Sequence, residues 1–510
     1  MGFFANADVP VLIAFLLYLA GMLAIGFYFS NKSKKMSDYF LAGRKLGGWV
    51  TAMSAQASDM SGWLLMGLPG AAYATGMGNY WIAIGLAVGT ILNWALVARP
   101  LRRFTEVCGD SITIPQYLQN RFKADSPLIR VVCALVIFIF FLVYTTSAFV
   151  SGGKLFQVVF NIDPANETYT KMAVIISALI IIAYTFMGGF SAVAWTDFIQ
   201  GILMFVTIVA LPIALVSNTP NFSAEMLNST QKLVAEGADA NGYMSLTSNM
   251  SGIDIISNLA WAFGYFGMPH ILVRFMAIKD TKEVKKSGII ACVWVVISLT
   301  AAVLVGILGR VFLDSQSVAL GSAEQELIFI KAVKMLFPSF LGGIFLSAVL
   351  ASIMSTADSQ LLVTASAVVN DFYKVIVKKE VSEKKLMWIS RIAVIAISVI
   401  ACILALNPND SIMGIVSNAW AGFGAAFGPA ILFSLYWKRL TLKGTAAGII
   451  GGAATVLLWE YILPASVTMG LYSIIPGCIV SVLLTVIVSL ADKAPSDEVC
   501  ELFEAAKSEM

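Results

Sequence analysis

The chain has 510 residues, of which 59% are hydrophobic and only 12% charged, with a mean hydropathy of +0.85 and a formal net charge of +3. Soluble domains carry about 25% charged residues, so this composition excludes a water-soluble globule, a disordered chain and a basic nucleic-acid binder. Apolar residues fall instead in blocks of about 18–25, the helix length that crosses about 30 Å of hydrocarbon, and the chain reads as an all-α polytopic membrane protein.

In chain order the expected spans are 9–30, 47–72, 79–98, 128–159, 171–189, 193–216, 255–275, 287–313, 339–370, 388–406, 412–436, 445–463 and 471–491, about thirteen crossings. The first follows Asp8 rather than a basic segment and reads as a true span, not a removable signal. Most of the 33 lysines and arginines fall in alternate connections. These hold Lys32, Lys34, Lys35, Arg44 and Lys45, then Arg99, Arg102, Arg103, Arg121, Lys123 and Arg130. Arg274, Lys279, Lys282, Lys285 and Lys286 follow, then Lys374, Lys378, Lys379, Lys384, Lys385 and Arg391, and finally Lys438, Arg439, Lys443, Lys493 and Lys507. The positive-inside rule then predicts the N-terminus outside and the C-terminus inside. The 6 cysteines are scattered singly with no CxxC, which supports neither a metal cluster nor a disulfide framework.

Among the connections, 217–254 is the longest outer segment and suggests a short helix near Ser223–Glu236, while 327–336 reads as an amphipathic outer helix. The sequence therefore divides into a transmembrane domain, 1–491, and a charged tail, 492–510, expected to be solvated with a short helical stretch.

Two spans are interrupted. Asp59 is the only charge between Trp49 and Tyr73, and Gly62, Gly67, Pro69 and Gly70 weaken the helix around it. A charge at that depth is unfavourable by roughly 3 kcal/mol on insertion scales and normally has a partner. Asp59 can attract or ligate a cation, carry a proton, or bond backbone freed by the break. The second interruption is Gly264, Gly267 and Pro269 in the seventh span, where the proline leaves a carbonyl unpaired. Spans two and seven cross in opposite directions. Broken helices in corresponding places of two inverted halves point to the site of a secondary transporter.

Unwound carbonyls, such as those of Ala57 and Met60, supply ligands for sodium. Ser352, Ser355 and Thr356 share one helix face and can complete an oxygen shell, although such hydroxyls commonly bond their own backbone. Trp63, Tyr144, Trp261 and Tyr265 lie in or near the broken spans and the long fourth span, with Trp261 and Tyr265 on one face, suited either to enclosing a small apolar amino acid or to core packing. Arg44 is either an inner gate or an inside-positive anchor. His270, the sole histidine, reads as a packing residue.

The run Ser58-Asp-Met-Ser-Gly-Trp-Leu-Leu-Met-Gly-Leu-Pro-Gly70 resembles the second-span signature of the sodium/solute symporter family. Similar matches occur at 188–200, at Gly264–Met276, at Met354-Ser-Thr356 and at Trp420–Pro429, so the resemblance spans the chain. It implies a five-plus-five inverted-repeat core (about 47–216 and 255–436) in the cytoplasmic membrane of a bacterium. The implied activity is sodium-coupled symport of L-proline, with sodium as coupling ion and no organic cofactor. By the same resemblance Ala57, Met60, Ser352, Ser355 and Thr356 form the sodium site near Asp59. Ser61, Gly62, Trp63, Tyr144, Trp261, Tyr265 and Pro269 line the proline pocket, and Arg44 belongs to the inner gate. Ser352 and Met268 depart from the family pattern. Alternatives are another small solute, coupling to protons, or a sensor or channel on the same scaffold. An enzyme is disfavoured, because no nucleophile–base pair or metal cluster appears. Oligomeric state is not legible.

Overall fold

The computed structural model describes residues 8–30, 36–187, 189–235, 240–248, 250–377, 381–408 and 410–508. Lys32, Lys34, Lys35, Lys378 and Lys379, as well as Gly188 and Glu236, lie outside them. Within the described residues the chain is helical, with one isolated backbone bridge between Leu46 and Ile278. Among the described residues, eleven helices are long and apolar enough to cross a membrane.

The first is α1 (Val9–Ser30), followed by the broken pair α2 (Gly48–Asp59) and α3 (Leu68–Thr75). A tight turn leads to α4 (Tyr80–Asn93) and, through a wide turn at Trp94–Ala98, to α5 (Arg99–Val107). The sequence ended this span at 98, yet the helix runs on. Leu101 and Phe104 bury one side of α5 and Arg102 donates to the Ile278 carbonyl at 2.8 Å. Then come α6 (Leu128–Val159), α7 (Glu167–Met187) and α8 (Phe190–Ser217). The second broken segment is α9 (Gly252–Leu259), a tight 3-10 stretch at Ala260–Phe266, and α10 (Pro269–Ala277).

The rest of the bundle is α11 (Thr281–Ser315), α12 (Ser339–Ser366), α13 (Glu383–Ala405), α14 (Ile412–Tyr436), α15 (Leu442–Tyr461) and α16 (Ile474–Ala491), with α17 (Asp497–Lys507) after it. The helices foreseen in the two long connections are present as Phe222–Ala235 and Ile328–Leu336. α11 starts six residues before its expected apolar start, because Asp280 caps it by accepting from the Lys282 N–H.

α12 and α14 are the central helices, with 78% and 83% of their apolar windows buried, against 28% for α1 and α16. α14 can lie against the second break because glycine removes the side chain there. A Cβ on Gly264 would sit 1.9 Å from Trp420 Nε1, and one on Gly267 would sit 2.1 Å from the Phe423 carbonyl.

The tail is not solvated. Val499, Phe503 and Ala506 of α17 are buried, Phe503 packs edge-on against Phe104 at 5.6 Å, and Arg121 lies over its ring at 4.8 Å. The charged composition of the segment concealed a three-residue apolar stripe at helical spacing.

Candidate functional site

Asp59 ends α2, and the next residue, Met60, leaves helical geometry (φ −89°, ψ 77°). The hydrogen-bond ladder is then rerouted. The Ser61 N–H, which in a continued helix would reach Ala57, turns to the Asp59 carbonyl at 3.1 Å, and the Leu64 N–H turns to Ser61 rather than Met60 at 3.0 Å. The Ala57 and Met60 carbonyls are thus released by the break, as the sequence suggested.

Ala57 finds a partner across the bundle. Ser355 of α12 donates its hydroxyl to the Ala57 carbonyl at 2.7 Å and lies 3.2 Å from the Ser352 carbonyl. Ser355 thus joins α12 to the end of α2, and Ser352 and Thr356 flank it on the same turn, all three fully buried. Ser352 turns its hydroxyl back to the Val349 carbonyl at 2.8 Å, so only its carbonyl faces this cluster. The Thr356 hydroxyl is buried and has no hydrogen-bond partner among the described residues. A buried orphan oxygen beside a released carbonyl and a serine hydroxyl fits a small hard cation, which takes oxygen ligands.

The two breaks face one another. Tyr265 donates to Asp59 Oδ2 at 2.6 Å, while Oδ1 is buried without a hydrogen-bond partner among the described residues. Trp63 Nε1 and the Tyr144 hydroxyl both donate to the Asp59 carbonyl, at 3.1 and 3.4 Å. The Trp63 and Trp261 rings lie 6.4 Å apart, and Trp261 continues to Trp420 at 6.1 Å and Tyr472 at 5.5 Å. Ser61 Oγ accepts from the Trp63 N–H at 3.4 Å. Gly62 packs so closely that a Cβ would lie 2.5 Å from Ser151 Oγ. Trp63, Tyr144, Trp261, Tyr265, Ser61 and Gly62 thus gather around Asp59.

Pro269 and Arg44 do not join this group. Pro269 opens α10 and lines a small apolar cavity of about 20 Å³ with Phe190, Thr113 and Leu362. His270 packs edge-on against Phe141 and Tyr144. Arg44 lies at the far end of α2, donating to the Met276 and Ser111 carbonyls at 2.7 and 2.9 Å, with its Nε 2.7 Å from Asp110. It joins the end of α10 to the loop after α5. The end of the bundle where Asp410 and Glu460 lie is wider. A cavity of about 730 Å³ there reaches Trp261.

A second buried polar cluster carried no assignment in the sequence. Arg274 on α10 was counted among the inner-side charges, but it is fully buried and paired with Asp197 of α8 at 3.0 Å. Ser54 bridges them, donating to Asp197 at 2.6 Å and accepting from Arg274 Nε at 3.1 Å, and Arg274 also donates to Ser359 at 2.5 Å. Asp358 sits beside Ser359, with its Oδ2 unpartnered. The usable signal was Asp197 itself, a lone acid in a span, which demands a cation from another helix.

Comparison with known proteins gives consistent matches. The model of the sodium:solute symporter family matches residues 39–452. The chain is 44% identical over 501 residues to the osmoregulated proline transporter OpuE of Bacillus subtilis (strain 168), covering 97% of this chain and 98% of that protein. It is 42% identical over 499 residues to the sodium/proline symporter of Escherichia coli (strain K12), covering 98% and 96% respectively. Among solved structures, a substrate-bound, outward-open Na+-coupled sialic acid symporter superposes with a TM-score of 0.76 at 20% identity. That match covers 96% of this chain and 99% of that one, and it identifies the fold.

Proposed function

Because the chain belongs to the sodium:solute symporter family, we propose that it is a secondary active transporter that carries L-proline into the cell together with sodium. The observation that carries the ion half of this reading is the convergence of the Ala57 carbonyl, the Ser355 hydroxyl and the orphaned Thr356 hydroxyl between α2 and α12. Sodium taken up there, with the Ser352 and Met60 carbonyls, ties the broken helix to α12, and Asp59 supplies the opposing charge. The substrate half rests on relatives named as proline transporters and on the aromatic group around Asp59. Trp63, Trp261 and Tyr265 suit an apolar pyrrolidine ring, and the positive N-terminal end of the helix resumed after the break suits a carboxylate.

The two facing breaks support a five-plus-five repeat, about 47–216 against 255–436, within about thirteen crossings. The basic connections put the N-terminus outside and the tail inside. In that orientation the cavity beside Asp410 and Glu460 opens outward, and Arg44 with its carbonyl partners closes the inner side. Sodium binding favours this outward-facing arrangement, proline closes the outer cavity, and release follows when the Arg44 contacts part.

Uptake of labelled L-proline into proteoliposomes tests the reading. It runs uphill under an inward sodium gradient and collapses when that gradient is removed. Uptake indifferent to sodium overturns the coupling, and full competition by unrelated solutes overturns the substrate.

A further inference from the structure

α2, α8 and α11 do not close on one another along their lipid-facing side. Between them runs a groove of about 380 Å³, walled by Trp49 and Met53 of α2, Phe205 of α8, and Ile289, Val293 and Trp294 of α11. Trp49, Ile289 and Val293 are exposed, so the groove opens to hydrocarbon rather than to the substrate cavity. A flat or convex helix face takes up passing lipid tails. A concave apolar slot of this size holds one chain in place.

One end of the groove is basic, and the backbone makes it so. The Lys279 N–H donates to the Leu46 carbonyl at 2.9 Å, and Leu46 pairs with Ile278 in an isolated parallel bridge. That bridge holds the segment that carries Lys45 against the segment that carries Lys279 at the foot of α2 and α11. On α11, Lys282, Lys285 and Lys286 are exposed and lie about 5–10 Å along the axis from Ile289, at 1.5 Å per residue. Lys286, Ile289 and Val293 follow i, i+3, i+7, so charge and groove share a face. The two acids of the stretch each accept a backbone N–H, and the exposed lysines outnumber them. Asp280 caps α11, and Glu283 accepts from the Gly48 N–H at 3.1 Å.

An apolar slot ending in a cluster of ammonium groups is complementary to one kind of molecule in a bilayer. We propose that this groove binds an anionic phospholipid, with one acyl chain between α2 and α11 and its phosphate on Lys282, Lys285 and Lys286. The bound lipid braces α2, the arm that ends in Asp59, so transport depends on headgroup charge as well as on bilayer thickness.

The test uses the full-length protein, purified in detergent and offered phosphatidylglycerol or phosphatidylcholine at equal concentration, with bound lipid read by native mass spectrometry. The wild type retains one phosphatidylglycerol in preference to phosphatidylcholine. A triple K282Q/K285Q/K286Q variant loses that adduct by roughly a hundred-fold, since each lysine beside an anionic headgroup contributes about five-fold. Val293→Trp, which fills the slot and leaves the lysines in place, loses it too. K384Q/K385Q, an equal kind of charge change on α13, keeps it. Thermal melting in detergent confirms that each variant is folded. The proposal is overturned if the wild type shows no preference between the lipids, if the α13 variant loses as much as the triple variant, or if Val293→Trp keeps the adduct. It is equally overturned if Val293→Trp dissociates a dimer, which would make the groove an interface between two copies of the chain.

Discussion

Tyr265 donates its phenolic hydrogen to Asp59 Oδ2 at 2.6 Å, joining two broken segments 206 positions apart in the chain. The bond leaves Oδ1 of the same carboxylate buried and unpartnered, so the site is half satisfied. Tyr265→Phe removes the donor and keeps the ring. A hydrogen bond to a charged group contributes about 1.5–3 kcal/mol, so proline binding at fixed sodium should weaken by roughly ten- to a hundred-fold. Asp59→Asn keeps an acceptor for Tyr265 but removes the charge, and it should flatten the sodium dependence of that binding. Equilibrium binding of labelled proline across a sodium titration separates the two. If both variants give the same sodium curve as the wild type, Asp59 has no part in the ion response.

Thr356 offers a cleaner separation of ion binding from folding. Its hydroxyl has no protein partner to lose, whereas the Ser355 hydroxyl satisfies the Ala57 carbonyl. Thr356→Val, nearly isosteric, should therefore melt at about the wild-type temperature without sodium but gain little when sodium is added. Ligand stabilisation grows with saturation and reaches about 2.7 kcal/mol at a hundred times Kd. Ser355→Ala should be destabilised even without sodium, by about 1–3 kcal/mol for the unsatisfied carbonyl. The check is a melting curve for each protein with and without sodium, choline replacing it at constant ionic strength. An undiminished sodium shift in Thr356→Val would remove Thr356 from the ion site.

The sequence revealed the span pattern and both breaks because those depend on local rules, namely apolar length and the helix-weakening effect of Gly and Pro. Ala57, Met60 and the Ser352/Ser355/Thr356 face were legible for the same reason, since released carbonyls and i, i+3, i+4 hydroxyls are local features. Arg274 was misplaced because hydropathy near a span end does not tell a buried charge from an anchoring one. Only contact with Asp197 of another helix distinguishes them. Pro269 was assigned to the pocket by the resemblance alone, and in the structure it lines a separate small cavity. The docking of α17 was hidden because its partners, Phe104 and Arg121, come from elements far away in sequence.

The Arg274–Asp197 pair should be a stability determinant of the bundle. Both side chains are fully buried, and Ser54 and Ser359 complete the guanidinium's bonds. Removing one member of a buried pair leaves an uncompensated charge and destabilises by about 3–5 kcal/mol. Arg274→Met should therefore lower expression and melting temperature sharply. The double change Arg274→Met with Asp197→Leu should recover much of that loss, because an apolar pair of similar volume is often neutral. Melting temperatures of the two single variants and the double variant close the cycle. A double variant no better than the worse single would show that the pair does not act as a unit.

Docking of α17 should weaken in acid. Lys438 contacts Glu504 at 2.8 Å and Lys123 contacts Glu498 at 3.1 Å across the junction with the bundle. The Lys438 ammonium, as hydrogen-bond donor and as charge, holds the Glu504 carboxyl below its ordinary value. A carboxylate whose value is depressed in the docked form contributes its attraction above the undocked value, about 4.3 for glutamate, and loses it as pH falls through the docked one. Both groups are exposed, so the effect is small and shrinks with salt; the main hold is Phe503 between Phe104 and Arg121. Phe503→Ala should accordingly speed amide exchange across residues 497–507 at every pH, by far more than acidification does in the wild type. Glu504→Gln should abolish part of the acid response while leaving exchange near neutral pH only slightly faster. Hydrogen–deuterium exchange at pH 4 and pH 7, with rates corrected for their intrinsic pH dependence, reads both effects. Exchange in Phe503→Ala equal to that of the wild type would mean that the aromatic contact does not hold the tail.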